Sequence, residues 1–347
     1  MELSAHDCLI VGAGPAGLCA AAAAREHGWE PIVVERSDRI GGVWCRVEPD
    51  LRCLSPRHRD LLPDRSYPLG SGLRASASEV HRALEEFAQK EQFDIRFGMT
   101  ATGLRQVQGE QGPLLEIVTE EGSLQGHRIV IATGEFGCPK IPDLPGHFEG
   151  ETAHSSEFRA SQVDPGEHII VVGAANSAVD LVGRLLRQGA TVTVSARSGL
   201  HAPRALAPQP FSTLLWWASA LPVGWLPPSM QCDRVVPTVD DDIVRAQQDG
   251  RIRVIGEAIG MTASGLRVVG GEEVEADRIV FATGFLRDLR WATSLTLDED
   301  GIPRHDRGLS TELAGVAFLG LPCMRTRRSG FLRGFAEDAR AVLRRLA

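Results

Sequence analysis

Lysine is almost absent from this chain. Of its 37 basic residues only Lys90 and Lys140 are lysine, and the other 35 are arginine. An arginine met alone is therefore a weak sign of anion binding. Positive charge is also lacking overall. The net charge of −8 gives no electrostatic support to a nucleic-acid role. Paired cysteines are missing. Cys8, Cys19, Cys45, Cys53, Cys138, Cys232 and Cys323 include no CxxC and no CxxxxC spacing, which excludes a dithiol redox motif. The odd count and the lack of a signal-peptide pattern point to reduced thiols and a cytoplasmic protein. No apolar run reaches ~18 residues, so no transmembrane helix is expected.

What is there belongs to a globular protein of about two domains: 347 residues, 43% apolar and 24% charged. Asp7 to Val11 is an apolar run that reads as a buried strand. It enters Gly12-Ala13-Gly14-Pro15-Ala16-Gly17, a GxGxxG turn, and a helix continues through Ala20 to Ala24. A second strand, Pro31 to Val34, ends on Glu35. Gly12 allows the tight turn, Gly14 lets backbone approach a pyrophosphate, and Gly17 lets helix and strand pack closely. The helix N-terminus offers unpaired N–H groups to phosphates, and Glu35 can accept hydrogen bonds from ribose hydroxyls. Strand, turn, helix, strand and acid in this order predict a dinucleotide site.

Further along, Gly41-Gly42-Val43-Trp44 turns tightly, and the Pro- and Gly-rich residues 49–72 read as an ordered loop. Ser78 is expected to cap a helix through about Gln92, with Val80, Leu84, Phe87 and Ala88 on its apolar face. Strand-like runs follow at 93–97, 100–107, 114–119 and 128–132, the last ending in Thr133-Gly134. Residues 135–166 read as a linker. The opening pattern then repeats: strand His168 to Val172, turn Gly173 to Ala178, helix Val179 to Gln188, strand Ala190 to Val194. This is an internal duplication, so two dinucleotides are expected. The second unit closes with Arg278 to Phe285, Val316 to Gly320 returns to the first, and a last helix runs from near Ser329 to about Leu346. In the second unit Ser195-Ala196-Arg197 replaces the acid, which favours a 2′-phosphate and hence NADPH over NADH.

Phe148-Glu149-Gly150-Glu151-Thr152-Ala153-His154-Ser155-Ser156-Glu157-Phe158 resembles the FxGxxxHSxx(Y/F) fingerprint of flavin-containing monooxygenases. With Gly12 to Gly17, Gly41 to Trp44, the GxxNSA turn at 173–178 and Ala282-Thr283-Gly284-Phe285, the resemblance covers nearly the whole chain, and the short bacterial and plant members are the nearest in kind. It implies an α/β protein of two nested Rossmann-like dinucleotide-binding domains, the two-domain FAD/NAD(P) flavoprotein fold. Residues 1–160 and 285–347 would form the FAD domain and 161–284 the NADPH domain, with an apolar flap at 205–232. It implies that NADPH reduces FAD, that O₂ adds to give a flavin hydroperoxide, and that one oxygen atom enters a small-molecule substrate at a heteroatom or activated carbon. By the same resemblance FAD is held by Gly12, Gly14, Pro15, Ala16, Gly17, Glu35, Arg36, Gly42, Val43, Trp44, Ser55, Ala101, Thr133, Gly134, Gly320 and Phe331. NADPH is held by Gly173, Ala175, Asn176, Ser177, Ser195 and Arg197. No metal is implied.

Three departures from the family pattern stand out. Ala175 occupies the central Gly position of the second turn, where a methyl pushes against a pyrophosphate. Ser55 takes the place of an Asn beside the flavin and is the one residue given a catalytic role, with one hydroxyl where Asn offers an amide. Phe158-Arg159 replaces the Trp-Pro that ends the fingerprint in Baeyer–Villiger enzymes. His154 reads either as a proton donor or as a linker residue bonded to backbone, the second being preferred. The flap, uncharged and rich in Trp, reads either as structural cover or as an apolar substrate entrance touching a membrane surface or another subunit. The cluster Arg325, Arg327 and Arg328 reads as support for reduced flavin, as a receiver of an acidic substrate, or as a solvated loop. Partners are a small-molecule substrate and O₂, with a homo-oligomer left open. An NADPH oxidase or reductase that inserts no oxygen, and a sensor or assembly partner with a decayed second site, stay open beside the monooxygenase.

Overall fold

The computed structural model describes residues 5–53, 55–66, 68–110, 112–197, 219–225 and 246–347. The chain divides into two compact units. Residues 1–137, 216–232 and 286–347 form the first, and residues 138–215 and 233–285 the second.

The first unit is built on four aliphatic strands. Cys8–Val11 lies between Pro31–Val34 and Ile129–Ile131, and Val316–Phe318 flanks Ile129–Ile131, all parallel. Asp94–Arg96 extends one edge, and the short pieces His305–Asp306 and Leu309–Ser310 extend the other. Every residue of the four central strands is buried, as a parallel sheet covered on both faces requires. The helix Pro15–Glu26 supplies ten consecutive buried residues, five of them Ala20 to Ala24, so helix, sheet and the last helix Leu332–Leu346 approach closely. A separate antiparallel sheet of Ala101–Gly109, Gly112–Thr119 and Gly122–Gly126 follows.

The helix expected from Ser78 is Ala77–Glu91, and its cap is Ser76 instead. The Ser76 hydroxyl accepts from the Glu79 N–H, and the Glu79 carboxylate accepts from the Ser76 N–H at 2.8 Å. This capping box settles two orphan donors at once, whereas Ser78 only pairs with the Ser76 hydroxyl. The expected apolar face is the buried one.

In the second unit a five-stranded parallel sheet runs in the order Ile252–Ile255, Thr191–Ser195, His168–Val172, Arg278–Phe281, Glu151–His154. The helix Asn176–Gln188 ends on Gly189 in the left-handed region, a glycine C-cap. The expected linker at 135–166 is therefore not one. Its Glu151–His154 segment is an edge strand of this sheet, and residues 138–160 belong with the second unit, not the first. The flap shows the opposite displacement. Its residues 205–218 and 226–232 lie outside the described residues, but 219–225 belong to the first unit. There Val223 donates its N–H to the Arg325 carbonyl at 3.0 Å, and Pro222 bridges Thr326. No helix among the described residues is long and apolar enough to cross a membrane. Cys8, Cys19, Cys45, Cys53 and Cys138 are free thiols, but Cys323 is disulfide-bonded, which corrects the expectation of reduced thiols at that position.

Candidate functional site

In the first unit the residues singled out from sequence converge at one edge of the sheet. Gly12 to Gly17 follow Cys8–Val11, Glu35 follows Pro31–Val34, Thr133 and Gly134 follow Ile129–Ile131, and Gly320 follows Val316–Phe318. These are the carboxyl ends of parallel strands, where α/β sheets bind ligands. Gly12 has φ +108°, and a Cβ there would sit 2.7 Å from the Ala132 carbonyl oxygen. The turn therefore passes directly under Ala132-Thr133-Gly134. Glu35 is buried and organises the turn. Its Oε2 accepts from the Ala13 N–H at 2.7 Å, and its Oε1 accepts from the Ser37 N–H and hydroxyl at 2.9 Å. The Gly41 N–H donates to the Ala13 carbonyl at 3.0 Å, so Gly42, Val43 and Trp44 are tied to the same turn. The Met99 N–H donates to the Glu35 carbonyl at 2.9 Å, which brings the start of the Ala101 strand beside the acid. Phe331 caps the last helix. Arg36 turns away, to Asp288 Oδ2 at 3.3 Å and the Gly137 carbonyl at 3.1 Å.

The fit to a dinucleotide is visible in Gly14. Its backbone is extended, φ −77° and ψ 179°, and the nearest protein atom to an added Cβ is Gly42 Cα at 3.9 Å. Nothing in the protein demands glycine here, while the space beside it is a cradle that a Cβ would fill. The helix it precedes has no side-chain cap and no acid in its first turn, so its N–H groups are open to phosphate. Pro15 and Ala16 open that helix, and Pro15 has no N–H to leave unpaired.

The second unit repeats the device. Gly173 has φ +123°, and a Cβ there would collide with the Ala282 carbonyl, the counterpart of Ala132. Ala175 is the N-cap of Asn176–Gln188, again with no side-chain cap and no acid in the first turn. The Ala175 and Ser177 side chains are exposed, and Asn176 Oδ1 is a buried acceptor without a partner among the described residues. Arg197 is exposed. Ser195 differs from expectation: it is 2% exposed and donates its hydroxyl to the Gly256 carbonyl at 2.8 Å. Its side chain is spent inside the fold and is not free to meet a phosphate.

His154 is the backbone-bonded residue preferred from sequence. Its Nε2 meets the Gly284 carbonyl at 3.0 Å and its Nδ1 the Ser156 hydroxyl at 2.9 Å. Burial holds its imidazole below the usual histidine range, and Phe285 packs edge-on against the ring. Ser55 is buried and donates to Asp60 Oδ1 at 2.6 Å. The adjoining Arg57, which sequence reasoning passed over, is 8% exposed and gathers the loop around it. It donates to the carbonyls of Gly72, Pro68 and Ser71 and to Glu79 Oε2.

A family model described as pyridine nucleotide-disulphide oxidoreductase matches residues 9–209, more than half of the chain. The chain belongs to this family. It is thus a flavoprotein oxidoreductase, with the two-domain fold and the paired dinucleotide sites expected from its sequence. Indole-3-pyruvate monooxygenase YUCCA1 of Oryza sativa subsp. japonica is 27% identical over 322 residues, covering 80% of this chain and 76% of the plant protein. A flavin-containing monooxygenase from Stenotrophomonas maltophilia superposes with a TM-score of 0.80 at 19% identity, over 99% of this chain and 98% of that one. The bacillithiol disulfide reductase Bdr of Bacillus cereus superposes at 0.75 with 18% identity, over 99% of both chains. Both superpositions bear on the fold. The likeness to flavin-containing monooxygenases read from the motifs is found again among these relatives.

Proposed function

We propose that this oxidoreductase is an FAD- and NADPH-dependent monooxygenase acting on a small organic molecule. Overall, NADPH, a proton, O₂ and substrate become NADP⁺, water and a product carrying one oxygen atom. The likeness to a plant monooxygenase over four-fifths of the chain carries the reading, together with two open phosphate turns, one in each unit. The flavin, once bound, supplies the electron and oxygen chemistry. The chain's own residues bind, orient and exclude water. Gly12 to Gly17 and Glu35 hold the FAD pyrophosphate and ribose, and the Gly42 to Trp44 turn closes over that site. Gly173, Asn176 and Ser177 take the NADPH pyrophosphate, and Arg197 takes its 2′-phosphate. Ala175 narrows the second turn, but its methyl faces outward, so a pyrophosphate has only that group to clear.

Ser55 acts through Asp60 and not as a free donor, because its proton is already given to that carboxyl. It keeps the loop that shields the site in place.

The test is anaerobic. Purified yellow protein mixed with NADPH should bleach, and faster than with NADH. Arg197→Glu sets an anion beside the 2′-phosphate and should raise the KM for NADPH by about tenfold or more while leaving NADH nearly unchanged. Equal shifts for both coenzymes would remove Arg197 from phosphate binding. Protein that never bleaches with either coenzyme would remove the enzyme reading itself.

A further inference from the structure

The peptide group between Ile40 and Gly41 is held at both of its poles. Its N–H donates to the Ala13 carbonyl at 3.0 Å, inside the GxGxxG turn. Its carbonyl faces His81 Nε2 at 3.0 Å, on the helix Ala77–Glu91. A carbonyl only accepts, so this geometry assigns the ring hydrogen to Nε2. Glu85, one turn further along the helix, sets its Oε1 3.5 Å from the same nitrogen and flanks the ring. The start of that helix is fixed by the Ser76 and Glu79 capping box, so His81 reaches the peptide from an anchored element.

Glycine is what makes the second holder necessary. Gly41 has φ +110°, where only glycine sits without strain, and the peptide before it rotates at little steric cost. The His81 ring lies flush against this residue, since a Cβ on Gly41 would stand 2.7 Å from His81 Cδ2. The orientation of the peptide is therefore set by what its poles meet. That orientation governs Gly42, the next residue. A Cβ on Gly42 would lie 3.4 Å from Gly14 Cα, so the two turns stand face to face at the phosphate cradle. The Gly42 carbonyl accepts from Cys45 Sγ at 3.1 Å and from Arg46 Nε at 3.2 Å, which ties the turn into one piece. Rotating the Ile40–Gly41 peptide breaks the Ala13 bond and frees that piece from the cradle.

We propose that His81 is a positioning residue for FAD: by holding the Ile40 carbonyl it keeps the Gly41 to Trp44 turn closed on the Gly12 to Gly17 turn. It acts through this one peptide. The inference rests on FAD lying at Gly12 to Gly17, and it does not depend on whether oxygen is transferred.

The test follows FAD release from diluted FAD-loaded protein, read as the flavin absorbance that stays with the chain over time. Melting of the flavin-stripped protein is measured alongside. His81→Leu keeps bulk and removes the donor, and it should release FAD at least about tenfold faster than wild type. Its flavin-stripped form should melt within about 2 °C of stripped wild type, because the side chain is half-buried at the surface. His81→Gln restores an N–H donor of similar reach and should bring release back to within about threefold of wild type. Gly41→Ala strains the same peptide and should also speed release by at least about tenfold. Combined with His81→Leu, its effect should not multiply, because both changes act on one peptide. Release from His81→Leu at the wild-type rate would overturn the proposal. So would equally fast release from His81→Gln and His81→Leu, which would assign the effect to ring packing. A larger fall in the melting of stripped His81→Leu, or rates that multiply in the double variant, would do the same. Gly14→Val separates this inference from the placement of FAD. If that variant keeps full flavin, the site itself is misplaced. If it is colourless while His81→Leu releases FAD as wild type does, the site stands and the role of His81 fails.

Discussion

Gly14→Val should give a folded protein with no yellow colour, whereas Gly17→Ala should not fold well enough to purify. The two glycines stand three residues apart in one turn, and their needs differ. Gly14 has an extended backbone open to any residue, and an added Cβ meets only Gly42 Cα, at ordinary contact distance. The valine side chain therefore sits in the ligand's space, not the protein's. Melting should fall only as far as that of wild type stripped of flavin, within about 2 °C, because the loss is one of ligand linkage. At Gly17 a Cβ collides with the Gly12 carbonyl, which cannot move without breaking the passage under Ala132. Alanine normally favours a helix interior over glycine by about 1 kcal/mol; here the overlap should reverse that and cost about 3 kcal/mol or more. Flavin content per chain and the melting temperature separate the two effects. Full flavin in Gly14→Val would show that the pyrophosphate lies elsewhere.

Arg57→Leu should be the most damaging change outside the turns. The guanidinium is buried and joins the Gly72, Pro68 and Ser71 carbonyls to the Glu79 carboxylate, which itself completes the cap of Ala77–Glu91. Leucine leaves those acceptors unpaired, at a cost of about 3–5 kcal/mol and a melting temperature lower by about 10 °C. The same loop carries Ser55 and Asp60, so its loosening should let water reach the flavin. NADPH consumed without substrate should then appear as hydrogen peroxide in greater yield than in wild type. Ser55→Ala, which removes one donor from Asp60, should raise that leak with a smaller loss of stability and with flavin reduction unchanged. Arg57→Leu melting like wild type would show that solvent replaces the guanidinium at no cost.

The duplicated strand, turn, helix and strand were legible because each part is local. Apolar runs, glycine spacing and a following acid need no distant partner, and in both units they fall where the residues indicate. The errors have equally specific causes. Glu151–His154 lies in a Pro- and Gly-rich stretch and becomes a strand only through pairing with Arg278–Phe281, far along the chain. Ser76 and Ser78 are both able to cap, and the deciding sign was Glu79 three residues after the first. Ser195 ends a strand buried on both faces, where alternation does not tell which way a hydroxyl points. Arg57 was hidden by composition: among 35 arginines a single buried one carries no mark.

The most direct test of the central claim follows the oxygen. Flavin-loaded protein, NADPH and isotopically labelled O₂ are incubated with indole-3-pyruvate, other small carboxylates and a set of amines and sulfides. Parallel reactions contain a low-molecular-weight disulfide. A monooxygenase yields an organic product that carries one labelled atom from O₂, with NADPH consumed in step with that product. NADPH oxidised while every labelled atom appears as peroxide, or while the disulfide is reduced to thiol, would contradict it.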